Sequence, residues 1–292
     1  MKKNVRKQNP KKRVKRTVRK PFRKVFKLLK IVFVMICMIG VFSCVQMLLH
    51  RNTNEEEVVE YIDPVCLHPY DAIGLTSQSN GLPMYQDDLY TSSVGIDVSE
   101  HQGVIDFSTL KQQGISFVMV RCGYRGYSEG ILHRDVQYFD NMKKAKEAGL
   151  QRGVYFFSQA TNTDEAIEEA NYVISLVKDY DLNMPIGYDM EYVTDHDRIR
   201  NLTADEKTSI AKAFSDQLDE YGYRTYVYGS SWWLDDMIHM EDLQDHVKFW
   251  LAEYETGFPN FIHDFTMWQY SEKGQLKGIN VPVDMNLYIQ RK

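Results

Sequence analysis

The 292-residue chain predicts an α/β fold, an irregular (β/α) TIM-like barrel with eight strands and fewer than eight helices. Three observations predict it. Extended apolar runs alternate with runs of helical period from residue 93 onward, the rhythm of strand, crossover and strand. Eight extended runs can be counted, the number that closes such a barrel. The last two connections hold only about a dozen residues each, with Pro and Gly, too few for regular crossover helices, so the barrel loses helices in its second half. A flavodoxin-like open sheet is the alternative; eight strands and the lack of a Gly-rich phosphate turn argue against it.

The elements follow in order. Residues 94–98 are short and apolar, residues 107–113 read as a helix stopped by Gly114, and residues 116–122 are extended. Val136, Phe139, Met142 and Ala145 recur at helical spacing and predict a helix over 133–148, closed by Gly149. Residues 152–157 are extended and 164–180 helical. The apolar run Met184-Pro185-Ile186-Gly187 leads into Tyr188-Asp189-Met190-Glu191 as a fourth strand. Thr203-Ala204-Asp205-Glu206 is a capping box that opens a helix running to Tyr221. Residues 225–228, 247–251, 265–270 and 281–285 supply the remaining strands.

Upstream of the barrel the charge is sharply divided. Residues 1–50 carry 15 of the 35 Lys and Arg residues and no Asp or Glu, which leaves 20 basic against 40 acidic residues in the remainder. The basic tail, 1–30, runs into nineteen uncharged residues, 31–49, whose helix would be about 28 Å long, close to the hydrocarbon thickness. Lys and Arg on the amino side mark that side as cytoplasmic. The segment is therefore expected to be a single-pass signal anchor, with the downstream domain outside the cell membrane. A cleaved signal peptide and a lipoprotein with Cys44 as the modified residue are the other readings. Residues 51–93, with Pro64, Pro69, Gly74, Gly81 and Pro83 and no sustained period, are expected as an extracellular stem, although Tyr61, Tyr70, Leu82 and Tyr85 offer packing groups. The acidic remainder has no nucleic-acid signature; the basic tail reads as a topology determinant and a contact for anionic lipid. Of Cys66 and Cys122, the latter lies in a core-like strand and is expected to be buried and free, with a bridge between the two as the alternative.

The carboxylates carry the chemistry. Side chains alternate along a strand, so Asp189 and Glu191 point the same way, with their Cα atoms about 6.6 Å apart, within the range at which carboxyl pairs act on glycosidic bonds. Active sites of barrels gather where the strands end. Asp97 on the first strand and Asp284 on the eighth lie at or near such ends, as do the aromatic residues Tyr155, Phe157, Tyr228, Trp250, Tyr254, Trp268 and Tyr270. An acidic floor with an aromatic rim suits a sugar polymer, because pyranose faces stack on rings while hydroxyls bond to carboxylates.

Four segments together resemble one family: Gly95-Ile96-Asp97-Val98-Ser99 with Gln102-Gly103; Pro185 through Asp189 and Glu191; Trp250-Leu251-Ala252-Glu253-Tyr254; and Trp268-Gln269-Tyr270-Ser271 with Val283-Asp284-Met285-Asn286. They look like the glycoside hydrolase family 25 lysozymes, the N-acetylmuramidases also called Chalaropsis-type. The resemblance covers residues 92–290 and implies an irregular barrel that cleaves peptidoglycan glycan strands. It implies that Glu191 is the general acid, that Asp189 orients the 2-acetamido group or acts as nucleophile or electrostatic partner, and that Asp97 and Asp284 are further site carboxylates. Tyr155, Trp250, Tyr254, Trp268 and Tyr270 are expected to bind substrate. The implied setting is the outer face of a bacterial membrane, with the domain facing the wall.

Neither metal nor cofactor is expected, since no Cys/His spacing suggests zinc and no His-x-His stands on the first strand. Two other classes stay open at this stage. A wall-binding barrel without catalysis would bind sacculi without releasing reducing ends. A metal-dependent hydrolase would use the four carboxylates as ligands for Mg²⁺ or Ca²⁺ and lose turnover to a chelator.

Overall fold

The computed structural model describes residues 65–292, together with three isolated positions, Lys30, Met35 and Met38. Most of the basic tail, most of the anchor expected at 31–49 and the first part of the stem lie outside the described residues; within these, no helix is long and apolar enough to cross a membrane. The described residues 65–292 belong to one compact unit.

That unit is a closed barrel of eight strands. In chain order the strands are β1 (Leu75–Ser77), β2 (Pro83–Tyr85), β3 (Tyr90–Val98), β4 (Phe117–Arg125), β5 (Leu132–Arg134), β6 (Gln151–Phe157), β7 (Ile186–Asp189), β8 (Thr225–Ser230), β9 (Lys248–Ala252), β10 (Met267–Gly274) and β11 (Val283–Arg291). The barrel runs β3, β4, β6, β7, β8, β9, β10, β11 and closes by pairing β11 with β3. Its pairs are parallel up to β10; β11 is antiparallel to both of its neighbours. Four α-helices pack outside among the described residues: α1 (Phe107–Gln112), α2 (Tyr138–Glu147), α3 (Thr163–Val177) and α4 (Ala204–Asp219). No α-helix follows β9 or β10, as the short connections predict.

Local sequence explains the helix starts. Asp106, Asn162 and Thr203 each accept a backbone N–H from the first turn, and Thr203 and Glu206 form the predicted capping box. The helix expected from residue 133 begins instead at Tyr138. Residues 132–134 pair with β4 as the edge strand β5, and the chain is then tied at buried Asp135, whose carboxylate accepts Arg121 Nε at 2.8 Å and the Glu100 N–H at 2.9 Å.

Apolar residues fill two layers. Inside the barrel Phe117, Met119, Met184, Tyr226, Trp250, Met267 and Tyr288 close the floor. The larger layer lies between strands and helices and includes Val118, Val120, Phe156, Tyr188, Phe214 and Leu251. Gly95 is required by the inner layer: a Cβ there would stand 2.4 Å from the Phe117 ring.

The stem expected to reach residue 93 is folded over its described part. Tyr85 is fully buried, with its hydroxyl donating to Asp87 at 2.7 Å, and Tyr70 donates to the Phe265 carbonyl at 2.8 Å. β1 and β2 form a small hairpin, and β3 starts four residues earlier than its apolar run because Tyr90–Ser93 pair with the end of β11. Cys122 is buried, Cys66 is exposed, and both are free thiols.

Candidate active site

Period-two alternation brings the acids to one mouth. Asp97 is the second-last residue of β3 and Asp189 the last of β7; Glu191 follows two residues beyond. Asp284 arrives differently from the expectation that all site residues end their strands. It is the second residue of β11, and because that strand is antiparallel its start lies at the mouth, with Asp284 directly opposite Asp97 in the ladder.

Two cavities meet here. One, of about 510 Å³, is lined by Tyr228, Trp250, Tyr254 and Gln269 among others, and the second, of about 410 Å³, by Glu100, Arg121, Tyr124 and Tyr127. Tyr155, Asp189, Glu191 and Asp284 line both, so three carboxylates stand where the two lobes join; Asp97 lines the larger lobe. A third cavity of about 610 Å³ lies at the opposite end of the barrel, beside Thr225 and Lys248 at the starts of β8 and β9. It is larger but contains none of the four acids.

Asp97 is held by amides. Its Oδ2 accepts Gln269 Nε2 at 2.8 Å and Asn286 Nδ2 at 2.7 Å. Asn286 in turn accepts the Trp250 indole N–H at 2.8 Å. Gln269 Oε1 accepts the hydroxyls of Tyr228 at 2.9 Å and Tyr254 at 2.5 Å. This chain of bonds fixes the aromatic walls and the carboxylate as one unit. Asp189, by contrast, is buried with an Oδ1 that has no hydrogen-bond partner among the described residues. This carboxyl is therefore desolvated without the compensation that buried polar groups usually receive.

The charges are suppressed. Burial, and next the neighbouring Asp284, push Glu191 up to about 7. Burial, then Asp97 and Glu272, push Asp284 to about 7. Burial raises Asp97 to about 6 against the pull of Asn286 and Gln269, which favour the ion. Asp189 lies well above the carboxylate range, through burial and then the charges of Glu191 and Asp97, with Arg121 opposing. Four acids buried side by side in one cleft cannot all ionise near neutral pH, so the site retains protons and can deliver one, as a general acid requires.

The predicted aromatic residues divide. Tyr155, Trp250 and Tyr254 line the larger lobe. Trp268 and Tyr270 do not, which corrects their expected place in the cleft. Gln269 faces inward between them, so by strand alternation Trp268 turns to the outer layer, where its indole donates to the Glu253 carbonyl at 2.8 Å and its ring packs against Phe258 and Tyr270. Gln269, Asn286, Arg121 and Glu272 were not singled out from the sequence. Arg121 bridges Glu100 at 2.9 Å and Asp135 at 2.8 Å under the Tyr124 ring.

The chain belongs to Glycosyl hydrolases family 25, whose sequence model matches residues 96–279. It is 26% identical over 192 residues to the autolytic lysozyme of Clostridium acetobutylicum, covering 66% of this chain and 54% of that protein. To Lysozyme M1 of Streptomyces globisporus it is 28% identical over 210 residues, 68% of each. The chain thus spans about half the length of the first relative and about two thirds of the second. Among solved structures, the modular autolysin LytC of Streptococcus pneumoniae in complex with a synthetic peptidoglycan ligand superposes with a TM-score of 0.60 at 26% identity, over 74% of this chain and 52% of that one. The spore cortex lytic enzyme SleM of Clostridium perfringens gives 0.58 at 24% identity, over 68% and 67%, a likeness of fold.

Proposed function

We propose that the chain is a peptidoglycan hydrolase of the lysozyme type, an N-acetylmuramidase that cleaves the β-1,4 bond between N-acetylmuramic acid and N-acetylglucosamine. The observation that carries this reading is the placement of Asp189, Glu191 and Asp284 where two sugar-sized lobes join, with Glu191 near 7. The glycosidic bond lies over the junction with sugars on either side. Glu191 protonates the leaving oxygen, then takes a proton from the incoming water. Asp189 assists at the other face, by orienting the acetamido group for its own attack or by bearing the glycosyl intermediate. Asp97 and Asp284 keep the field around the pair negative, which favours the oxocarbenium-like transition state, and Tyr155, Trp250 and Tyr254 supply sugar-facing rings.

The same reading places the enzyme on the outer face of a bacterial cytoplasmic membrane, held by residues 31–49 with residues 1–30 inside. Its support is the charge division and the nineteen-residue apolar run. The full chain in detergent, incubated with purified peptidoglycan, releases fragments with muramic acid at the new reducing end. Glucosamine there would reassign the bond cleaved, and the absence of product would refute the activity.

A further inference from the structure

Trp232 is the only one of the four tryptophans that is exposed, at 53%, while Trp233, Trp250 and Trp268 are buried. Single exposed apolar groups are ordinary on a surface, but this one is placed and braced. It follows Ser230, which ends β8 and lines the larger lobe, by two residues. Its ring lies 6.4 Å from that of Tyr192, the residue directly after Glu191, and 6.2 Å from that of Trp233. Tyr192 and Trp233 meet edge to face at 5.1 Å. The cluster is pinned from beneath: the Arg200 guanidinium lies 3.8 Å from the Tyr192 ring centre, and the buried Lys207 ammonium faces both Tyr192 and Trp233 at 5.4 and 5.7 Å while donating to the Leu202 carbonyl at 2.6 Å. Residues Trp233–Met237 form a π-helical turn, a rare conformation frequent at functional sites.

We infer that Trp232, braced by Tyr192 and Trp233, is a stacking platform for a sugar of the glycan strand beyond the lobe walled by Tyr228 and Trp250. The inference rests on the hydrolase reading and extends its binding site. An exposed indole braced by two neighbouring rings loses little freedom on binding, and its face matches the apolar face of a pyranose. Trp232 lines neither lobe, so a short fragment occupying the lobes does not reach it and a long strand does. The platform therefore selects polymeric glycan over short products.

The full chain in detergent is assayed on purified glycan strands and on a tetrasaccharide of the same sugars. Trp232→Ala raises KM for the strands about tenfold, equal to about 1.4 kcal/mol of stacking, while kcat on them stays within about twofold, the pattern of lost uniform binding. Its KM for the tetrasaccharide stays within about twofold of wild type, and Trp232→Phe, which keeps a ring, recovers most of the KM for strands. An unchanged KM for strands, or equal losses on both substrates, overturns the platform. Strand binding by sedimentation separates this from the hydrolase reading. If the wild-type chain released no reducing ends, that reading would fail; strand binding weakened about tenfold by Trp232→Ala would still uphold the platform, and binding unaffected by the substitution would overturn it.

Discussion

Replacing Asn286 by Ala tests whether the amide network holds the Asp97 carboxylate. Asn286 is fully buried and serves two partners, the Trp250 indole N–H and Asp97 Oδ2. Its loss strands a buried neutral donor, worth about 1–3 kcal/mol, and removes one of two amide donors from an anion, worth about 1.5–3 kcal/mol. At pH 8 the variant is expected to lose about 3–5 kcal/mol, a large part of the 5–15 kcal/mol typical of a domain. The loss depends on pH with a definite sign. Asp97 stands at about 6 in the folded chain against an ordinary 3.8, so its contribution to stability is full below 3.8 and fades as pH rises through 6. Asn286 favours the ion, so its removal moves the folded-state midpoint further up and deepens the loss on the alkaline side. At pH 5 Asp97 is protonated in both proteins, and only the indole's share of about 1–3 kcal/mol remains. Urea unfolding at the two pH values measures this directly. A destabilisation that is equal at both, or greater at pH 5, refutes the view that Asn286 supports a charge.

Three further outcomes follow from the site. Glu191→Gln lowers turnover of natural glycan by at least about 10²-fold and affects a substrate with an activated phenol leaving group much less, whereas Asp189→Asn slows both alike; a swap of these behaviours reverses the assignment. Asp284→Asn lowers the midpoint of Glu191, because it removes the second cause of its displacement from 4.5 to about 7 and leaves burial, the first; the alkaline limb of the pH–rate profile moves down by about one pH unit or less, and an upward move contradicts the field described here. Protease added outside intact protoplasts removes the barrel and leaves a small membrane-embedded N-terminal fragment; a protected barrel refutes the proposed topology.

The barrel and its acids were legible because both depend on local period. Alternating runs and short late connections specified eight strands and few helices, and Asp97, Asp189, Glu191 and Asp284 could be found as acids at strand termini. Gln269 and Asn286 were overlooked although they lie in the motifs, since amides do not titrate and attract no attention as catalytic groups. The same alternation would have found them: Gln269 is two residues from inward Met267, and Asn286 two from Asp284. It would also have turned Trp268 outward. The described part of the expected stem, residues 65–93, shows no period because its first two strands have only three residues each. What folds them is tertiary, the burial of Tyr70 and Tyr85 against a barrel whose strands lie far along the chain.

The antiparallel last strand is where sequence economy and function meet. A parallel β11 would need a crossover helix and would put Asp284, its second residue, at the base of the barrel among the strand starts, far from Asp97. The connection between Gly274 and Val283 is too short for that helix, so β10 turns back as a hairpin and β11 begins at the mouth. Asp284 then lies across the ladder from Asp97, and Asn286, two residues further in, stands opposite Gly95, whose lack of a side chain makes room for the Phe117 ring. The missing helix thus brings in both the fourth carboxylate, which adds to burial in raising Glu191, and the amide that favours the Asp97 ion against its burial.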